Sequence, residues 1–399
     1  MTAPLVLRRD YLDHLWQWKD HRQVIKIVTG MRRCGKSTLL QQFIARLEAA
    51  GLQEQIIYLN FESKTTDHIQ DYHDLNDYLE DHLVPEKMTY VILDEIQRVA
   101  GWERTLNSLM VDAAADIYVT GSNAYLLSSE LSTYLAGRYV EIKMLPLSFR
   151  EYLELHPPDA HNSVEKRFND YLVKGAIPLV DPDEGMLATE LLQGIYATIL
   201  RKDISARLGL VDLRTLDEIV AYLMSNVGNI TSSATIASET ALSPATVKRY
   251  LQSLEDAFLF YKAYRYDVRG RRLLKTTEKY YAADTGMRNA LLNGGEGSDM
   301  GRVLENAVFL ELQRRGYQIT AGSYYDREID FVATKDGRRE YYQVALSIMG
   351  ESTFAREVKS LDSLPDSFPK TILTMDRFFN TPPNGIRAVN VIDWLLGKE

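Results

Sequence analysis

The sequence has almost no cysteine: Cys34 is the single one among 399 residues. Without a second thiol the chain cannot form an internal disulfide bond, and a zinc site built from cysteines is excluded. No run of about 18 apolar residues occurs, so no transmembrane helix is expected. The segment 1–10 also lacks the apolar core of a signal peptide. Together these features predict a cytoplasmic protein with no part in a membrane.

An excess of positive charge is also lacking. The formal net charge is -9 at pH 7, which argues against binding of a polyanion over the whole surface. A local basic face is still permitted, because a polyanion responds to the local field rather than to the total charge.

The stretch Gly30–Ser37, GMRRCGKS, fits the phosphate-loop pattern G-x-x-x-x-G-K-[ST]. An apolar segment precedes it and an amphipathic segment follows it, so we expect a strand, a loop and a helix. Glycines let backbone N–H groups wrap an anion, and the start of a helix adds partial positive charge. Lys36 is expected to reach the β- and γ-phosphates of a nucleotide, and the Ser37 hydroxyl to hold Mg²⁺.

A second motif, Tyr90–Glu95, is an apolar strand that ends in two acids. Such a strand about 60 residues after a phosphate loop is typical of a Walker B motif. Asp94 would bind magnesium directly or through water, and Glu95 would orient the water that attacks the γ-phosphate. A further strand ends at Ser122 and Asn123. Either residue is expected to act as a sensor of the γ-phosphate, unless the sequence Gly-Ser-Asn only forms a turn.

The order of elements predicts the fold class. Strands alternate with helices over 24–145, which predicts an α/β fold with a parallel sheet and helices on both faces. With 399 residues the chain is long enough for two or three domains. We expect a phosphate-loop core at 1–155, an all-helical lid or connector at 156–211, a winged helix at 212–292 and another α/β domain at 301–399.

Several segments resemble those of a large prokaryotic group of AAA-type ATPases, the archaeal-ATPase-like proteins that carry a C-terminal domain of unknown function. These segments are GMRRCGKSTLL, YLNFES, VILDEIQRVAGW, VTGSNAYLL, LAGRYVEIKMLPLSFREYL and YLVKGAIP. The resemblance implies an AAA-type fold, hydrolysis of ATP with Mg²⁺ and self-association, but no defined cellular role. The sequence has no guanine-selecting N-K-x-D element, which also favours ATP.

The resemblance further implies that an arginine from a neighbouring subunit completes the site. Arg138 is the first candidate and Arg150 the second, because a guanidinium can meet two phosphate oxygens. The alternative for each is a surface arginine or a structural ion pair. The expected catalytic residues are Lys36, Glu95 and Arg138. The residues expected to contact the nucleotide or its Mg²⁺ are Gly30, Arg32, Arg33, Cys34, Gly35, Lys36, Ser37, Thr38, Asp94 and Asn123.

The segment 215–282 has the order of elements of a winged helix. Three helices are expected, and Ser243 with Pro244 marks the start of the third. Two strands follow and enclose a basic turn. The functional interpretation is DNA binding, with the third helix in the major groove and the turn on the phosphates. The alternative is a module that binds a protein or another subunit. The residues proposed for DNA are Lys248, Arg249, Arg269, Arg271 and Arg272.

The last quarter resembles the PD-(D/E)xK nuclease fold, an α/β restriction-endonuclease-like fold. Glu305 matches the acid of the helix, Asp330 the acid of the strand, and Gln343 the first position of the (D/E/Q)-x-K element. This chemistry needs carboxylates for a divalent metal and a lysine beside the attacking water, yet Ala345 stands at the lysine position. We therefore expect a degenerate domain used for binding or assembly. The alternative is an active nuclease with a cation from elsewhere, such as Arg327 or Lys335.

Taken together, the motifs predict an AAA-type ATPase that couples its nucleotide state to oligomer assembly and to DNA or a protein partner. One alternative is a metal-dependent DNA nuclease gated by ATP. The other is a slow nucleotide switch that acts by assembly rather than by turnover.

Overall fold

In the computed structural model, the chain folds into two compact units. The first comprises residues 1–146 with 256–258, and the second comprises 147–255 with 259–399. The structure describes residues 6–122, 135, 137–205, 208, 212–240, 242–292 and 299–398.

The first unit is built on a five-stranded sheet with the order β2-β3-β4-β1-β5. All four pairings in this sheet are parallel, as the alternation of strands and helices predicted. The carboxyl ends of β1, β3 and β4 therefore lie side by side at one edge. The strands are β1 Ile25–Gly30, β2 Ile56–Asn60, β3 Thr89–Asp94, β4 Ala115–Gly121 and β5 Tyr139–Met144. The helices are α1 Arg9–Gln17, α2 Lys36–Ala49, α3 Tyr72–His82 and α4 Trp102–Asp112.

The central strands carry apolar side chains on both faces because helices cover both sides of the sheet. Every residue of β1, β3 and β4 is buried. On one face Phe43 of α2 packs against Tyr118, with their ring centroids 4.6 Å apart. On the other face Leu75 and Leu106 belong to a cluster with Leu93. This double cover holds the strand ends, and whatever side chains follow them, in fixed positions.

The second unit begins with helices. Ser148 caps the first of them, and its hydroxyl accepts from the Glu151 N–H while the Glu151 carboxylate accepts from the Ser148 N–H, a reciprocal capping box. The helices are α5 Phe149–Leu155, α6 Val164–Lys174, α7 Met186–Thr198, α8 Leu213–Ser225, α9 Ser233–Thr240, α10 Pro244–Asp256 and α11 Thr285–Leu291, and a π-helical turn Ile199–Ser205 follows α7.

A mixed sheet of eight strands forms the rest of the second unit, with the order β13-β12-β11-β10-β9-β7-β8-β6. Strand β7 pairs with β8 in an antiparallel hairpin and with β9 in parallel. The segments 212–292 and 301–399 therefore share one sheet. The strands are β6 Ile230–Thr231, β7 Phe260–Asp267, β8 Arg272–Ala282, β9 Gln318–Tyr324, β10 Arg327–Lys335, β11 Arg338–Ala345, β12 Lys370–Thr374 and β13 Arg387–Asn390, with helices α12 Met300–Arg314, α13 Glu351–Asp362 and α14 Val391–Leu396.

Among the described residues, no helix combines the length and the apolar character that a bilayer crossing needs.

Candidate functional site

The phosphate loop connects the end of β1 to the start of α2, and its backbone requires glycine. Gly30 has φ +147° and Gly35 has φ +105°, values that side chains rarely tolerate. A Cβ atom on Gly30 would lie 2.2 Å from the Met144 carbonyl oxygen at the end of β5. The loop passes so close to the neighbouring strand that only a hydrogen fits there.

Lys36 is the first residue of α2, and its side chain folds back over the loop. Its Nζ donates to the carbonyl oxygens of Gly30 at 3.0 Å and Met31 at 3.2 Å. The lysine is buried, while Ser37 is exposed and Thr38 is half-buried. The N–H groups at the start of α2 are free of helical partners and carry partial positive charge. A buried ammonium, a helix start and a hydroxyl side chain together fit a phosphate group with its magnesium ion.

Arg8 anchors the loop from outside the motif. Its guanidinium donates to the Cys34 carbonyl oxygen at 2.9 Å and to the Leu145 carbonyl oxygen at 2.7 Å. Arg8 is 2% exposed and Cys34 is fully buried, so the thiol is not offered to a solvent oxidant. The motif pattern does not single out Arg8, because its partners are backbone atoms far away in the chain.

Asp94 ends β3 in the position that the Walker B motif predicted. It is fully buried, and Oδ1 accepts a hydrogen bond from the Thr120 hydroxyl of β4. The Tyr58 hydroxyl of β2 donates to Oδ2 at 3.3 Å. The two neighbouring strands thus fix the orientation of this carboxylate. Neither Thr120 nor Tyr58 belongs to a motif, and only the strand order brings them to Asp94.

Glu95 follows in a left-handed conformation, with φ 58° and ψ 47°. This conformation costs a residue other than glycine on the order of 1–3 kcal/mol and is found where function requires it. The Glu95 N–H donates to the Thr120 hydroxyl oxygen at 2.9 Å. The Gln97 side-chain amide donates to Glu95 Oε2 at 2.5 Å. Gln97 therefore contacts the expected catalytic carboxylate.

The Asn60 side chain contacts the segment that follows its own strand. This residue ends β2, next to β3, and its Oδ1 accepts the Glu62 N–H at 2.8 Å. The Glu62 carboxylate lies 2.9 Å from Arg98 and 3.6 Å from Arg32 of the phosphate loop. An ionic contact thus connects the phosphate loop with the residues that follow the Walker B motif.

The residues expected to sense the γ-phosphate and those expected to complete the site of a neighbouring subunit lie in different parts of the structure. Ser122 is buried at the end of β4, whereas Asn123 lies outside the described residues. Arg33 is exposed in the loop, and Arg138 is exposed just before β5. The Arg138 guanidinium donates to Asn107 Oδ1 of α4 at 3.2 Å. Arg150 lies in the second unit, where it donates to the Leu396 carbonyl oxygen at 2.8 Å.

The acids expected in the last quarter converge around a lysine from β8. Lys279 Nζ lies 3.0 Å from Glu305 of α12 and 2.6 Å from Glu328 of β10. Gln343 Oε1 accepts the Asp330 N–H at 2.7 Å, so Gln343 is also part of the cluster. The cation that lies among these acids is therefore Lys279, a residue outside the segment 301–399.

Burial and neighbouring charges together shift the pKa values of both Asp330 and Lys279 upward. Burial, with the Glu305 charge as the next cause, raises the pKa of Asp330 well above its usual range. Burial by itself would lower the pKa of Lys279, but the carboxylates of Glu305, Asp330 and Glu328 outweigh burial and raise it. Arg327 and Lys335, the cations considered from the sequence, are bound to the carbonyl oxygens of Lys359 and Arg315.

The basic residues of the segment 212–292 lie at its surface. Lys248 and Arg249 are exposed on α10, whose buried side carries Val247, Tyr250 and Leu251. Arg269, Arg271 and Arg272 are exposed at the turn between β7 and β8.

Comparisons with known proteins identify one known domain type and two related proteins. Residues 22–153 match the family model of an AAA domain, and residues 165–297 match a domain of unknown function, DUF8612. An uncharacterized protein of Haemophilus influenzae is 40% identical over 99% of this chain and 100% of its own length. An uncharacterized protein of Methanocaldococcus jannaschii is 30% identical over 85% of this chain and 78% of its own length.

Among solved structures, AMPPCP-bound DnaA from Aquifex aeolicus matches 63% of this chain and 89% of its own, with 16% identity and a TM-score of 0.32. The matched AAA domain spans the phosphate loop, Asp94 and Glu95. The chain thus belongs to the same family as the Haemophilus influenzae and Methanocaldococcus jannaschii proteins, and its residues 22–153 match the model of an AAA domain.

Proposed function

We propose that the first unit binds ATP with Mg²⁺ and hydrolyses it. The observation that carries this proposal is the pairing of two motifs at one edge of the sheet. The phosphate loop follows β1, and Asp94 with Glu95 follows β3, with only β4 between them. The lysine, the metal carboxylate and the candidate base therefore face the same space above the strand ends.

Each residue has a role that its environment supports. Lys36, held on the loop carbonyls, would move onto the β- and γ-phosphate oxygens. Ser37 and Asp94 would hold Mg²⁺, which neutralises the charge that develops on the phosphoryl oxygens. Glu95 would accept the hydrogen bond of the attacking water once its own contact with Gln97 is released.

We also propose that Arg138 acts on the site of a second copy of the chain. Its exposure and the planar, permanently charged guanidinium support this role. A mixing experiment tests it directly. Arg138→Ala and Glu95→Gln proteins are each expected to be inactive, and mixing them should restore turnover, because one copy supplies the base and the other the arginine. Wild-type turnover in Arg138→Ala alone, or no recovery on mixing, contradicts this assignment.

We further propose that the nucleotide state is coupled to oligomer assembly and to DNA or a protein partner. The slow-switch alternative also predicts ATP binding, but it predicts negligible turnover in the assembled protein.

For the nuclease alternative, Lys279 is a cation close to the acids. However, its ion pairs with Glu305 and Glu328 occupy the carboxylates that a metal would need. We therefore retain the proposal that this cluster is degenerate.

The decisive experiment is ATP hydrolysis by the full chain, measured as a function of protein concentration with Mg²⁺. Lys36→Ala should abolish nucleotide binding, whereas Glu95→Gln should retain binding and lose turnover. Lys87→Ala and Glu54→Gln, which remove exposed charges of the same types in the same unit, should match the wild type. Turnover that persists in Glu95→Gln, or nucleotide binding that persists in Lys36→Ala, would overturn the proposal.

A further inference from the structure

The turn between β7 and β8 presents a fixed basic surface. Arg269, Arg271 and Arg272 are exposed there. Asp267 holds the turn together: Oδ1 accepts the Gly270 N–H at 3.0 Å, and Oδ2 lies 3.7 Å from Arg272 Nε. Arg271 has a left-handed φ of 49°. The Asp267 carboxylate thus makes its contacts within the turn, whereas the side chains of the three arginines remain exposed to solvent.

A second turn, between β9 and β10, lies beside the first. The Val268 N–H donates to the Ser323 carbonyl oxygen at 2.9 Å. The parallel pairing of β7 with β9 sets Tyr266 opposite Gly322 and Asp267 opposite Ser323. The two turns are far apart in the chain, and this pairing alone makes them neighbours.

The second turn carries an exposed aromatic ring, Tyr325, which is 64% exposed. The Arg269 guanidinium carbon lies 4.7 Å from the centroid of this ring. The Tyr324 ring lies nearly perpendicular to it, at an interplanar angle of 82°, with centroids 4.8 Å apart. Two neighbours therefore orient the Tyr325 side chain, although most of its surface remains in water.

We propose that these two turns form a binding site for single-stranded nucleic acid, in which an unpaired base stacks on Tyr325 and the three arginines contact the adjacent phosphates. An aromatic ring next to guanidinium groups is the combination that binds single strands without sequence preference. Duplex bases are stacked on one another and cannot reach such a ring, which favours a single strand. This site specifies the nucleic-acid part of the proposed function, and because it lies outside the ATPase machinery it does not depend on ATP hydrolysis.

The local charge sets the expected strength. Asp326, next to Tyr325, is exposed and acidic, and the whole chain carries a net charge of -9. The electrostatic part of binding is therefore limited to the arginine cluster and should weaken steeply with salt. An acidic peptide would satisfy the arginines but would have no planar face for the ring.

The test is fluorescence anisotropy of a labelled oligothymidylate of about 20 nucleotides, long enough to span one site, with the full chain at low salt. Tyr325→Ala should raise Kd about tenfold through loss of one stacked base, and Tyr325→Phe should retain binding because the ring remains. The triple variant Arg269→Ala, Arg271→Ala, Arg272→Ala should lower the salt slope by about two, at about 0.7 per phosphate contact.

Matched controls keep the test sharp. Arg214→Ala removes an arginine whose side chain is 87% exposed on α8 and should leave the affinity unchanged. ATP hydrolysis by Tyr325→Ala should equal that of the wild type, which separates this proposal from the ATPase proposal. Unchanged oligothymidylate binding by Tyr325→Ala overturns the proposal. So does a wild-type preference for a duplex of equal length, or competition by polyglutamate as effective as that by unlabelled oligothymidylate.

Discussion

Release of Glu95 from Gln97 is expected to raise ATP turnover. The Gln97 amide donates to Glu95 Oε2 at 2.5 Å, so an oxygen that would accept the attacking water is already engaged. Gln97→Ala removes the donor and leaves the backbone of the three-residue helical turn in place. The carboxylate should then be free in a larger fraction of molecules before any partner or second subunit acts.

The size of the effect follows from the contact. A hydrogen bond to a charged group contributes about 1.5–3 kcal/mol in a protected site. Gln97 is exposed, so a value of about 1 kcal/mol is more appropriate, which corresponds to roughly a fivefold change in rate. We expect kcat at low protein concentration to rise by about this factor, with KM for ATP unchanged, because Gln97 does not belong to the phosphate loop.

Steady-state kinetics at low protein concentration measures this effect, and Asn60→Ala is the control. The Asn60 side chain accepts the Glu62 N–H rather than contacting Glu95, so its loss should not increase kcat. If Gln97→Ala has equal or lower kcat while nucleotide Kd and thermal stability are retained, the contact does not restrain the base and the reasoning is wrong.

Three further outcomes are expected. Lys279→Met leaves the Glu305 carboxylate in a buried site without its cation and should reduce the free energy of unfolding of the second unit by about 3–5 kcal/mol; a smaller loss in the Lys279→Met, Glu305→Gln double variant, measured by urea denaturation, would confirm the pairing. Burial raises the pKa of Asp284 from 3.8 to about 6. The folded state thus favours the protonated form, which adds about 3 kcal/mol to the free energy of unfolding below about pH 4. This stabilisation is lost as the pH rises through 6. Asp284→Asn should flatten that slope in urea denaturation, and an unchanged slope would contradict the assignment. Arg8→Met removes the donors to the Cys34 carbonyl and should raise the Kd for ATP about tenfold through loss of buried hydrogen bonds, measured with a fluorescent analogue; an unchanged Kd would show that the loop holds its shape without Arg8.

Much of the proposed nucleotide site could be predicted from local sequence. The phosphate loop and the Walker B strand are short contiguous segments whose conformation depends on glycine, a helix start and a buried strand. The parallel sheet of the first unit followed from the alternation of strands and helices. As these motifs predict, Lys36 and Ser37 begin α2, and Asp94 and Glu95 lie at the end of β3.

The supporting contacts could not be predicted, because they join segments that are distant in the chain. Arg8 reaches backbone carbonyls at Cys34 and Leu145, and a carbonyl has no side-chain signature. Thr120 meets Asp94 because β4 happens to lie next to β3, and strand order is a tertiary property.

The second unit shows the same difference between motifs that local sequence predicts and contacts that it does not. Its motifs, including the acids Glu305 and Asp330, could be located along the chain because each depends on residue types at short spacing. The cation that pairs with Glu305, Lys279, comes from β8, and the ring that contacts Arg269 comes from the turn between β9 and β10. Both arrangements result from the pairing of β7 with β9, which depends on how the hydrophobic faces of a whole sheet are buried together. Local sequence thus determines which chemical groups the chain carries, and the packing of distant strands determines which of them meet.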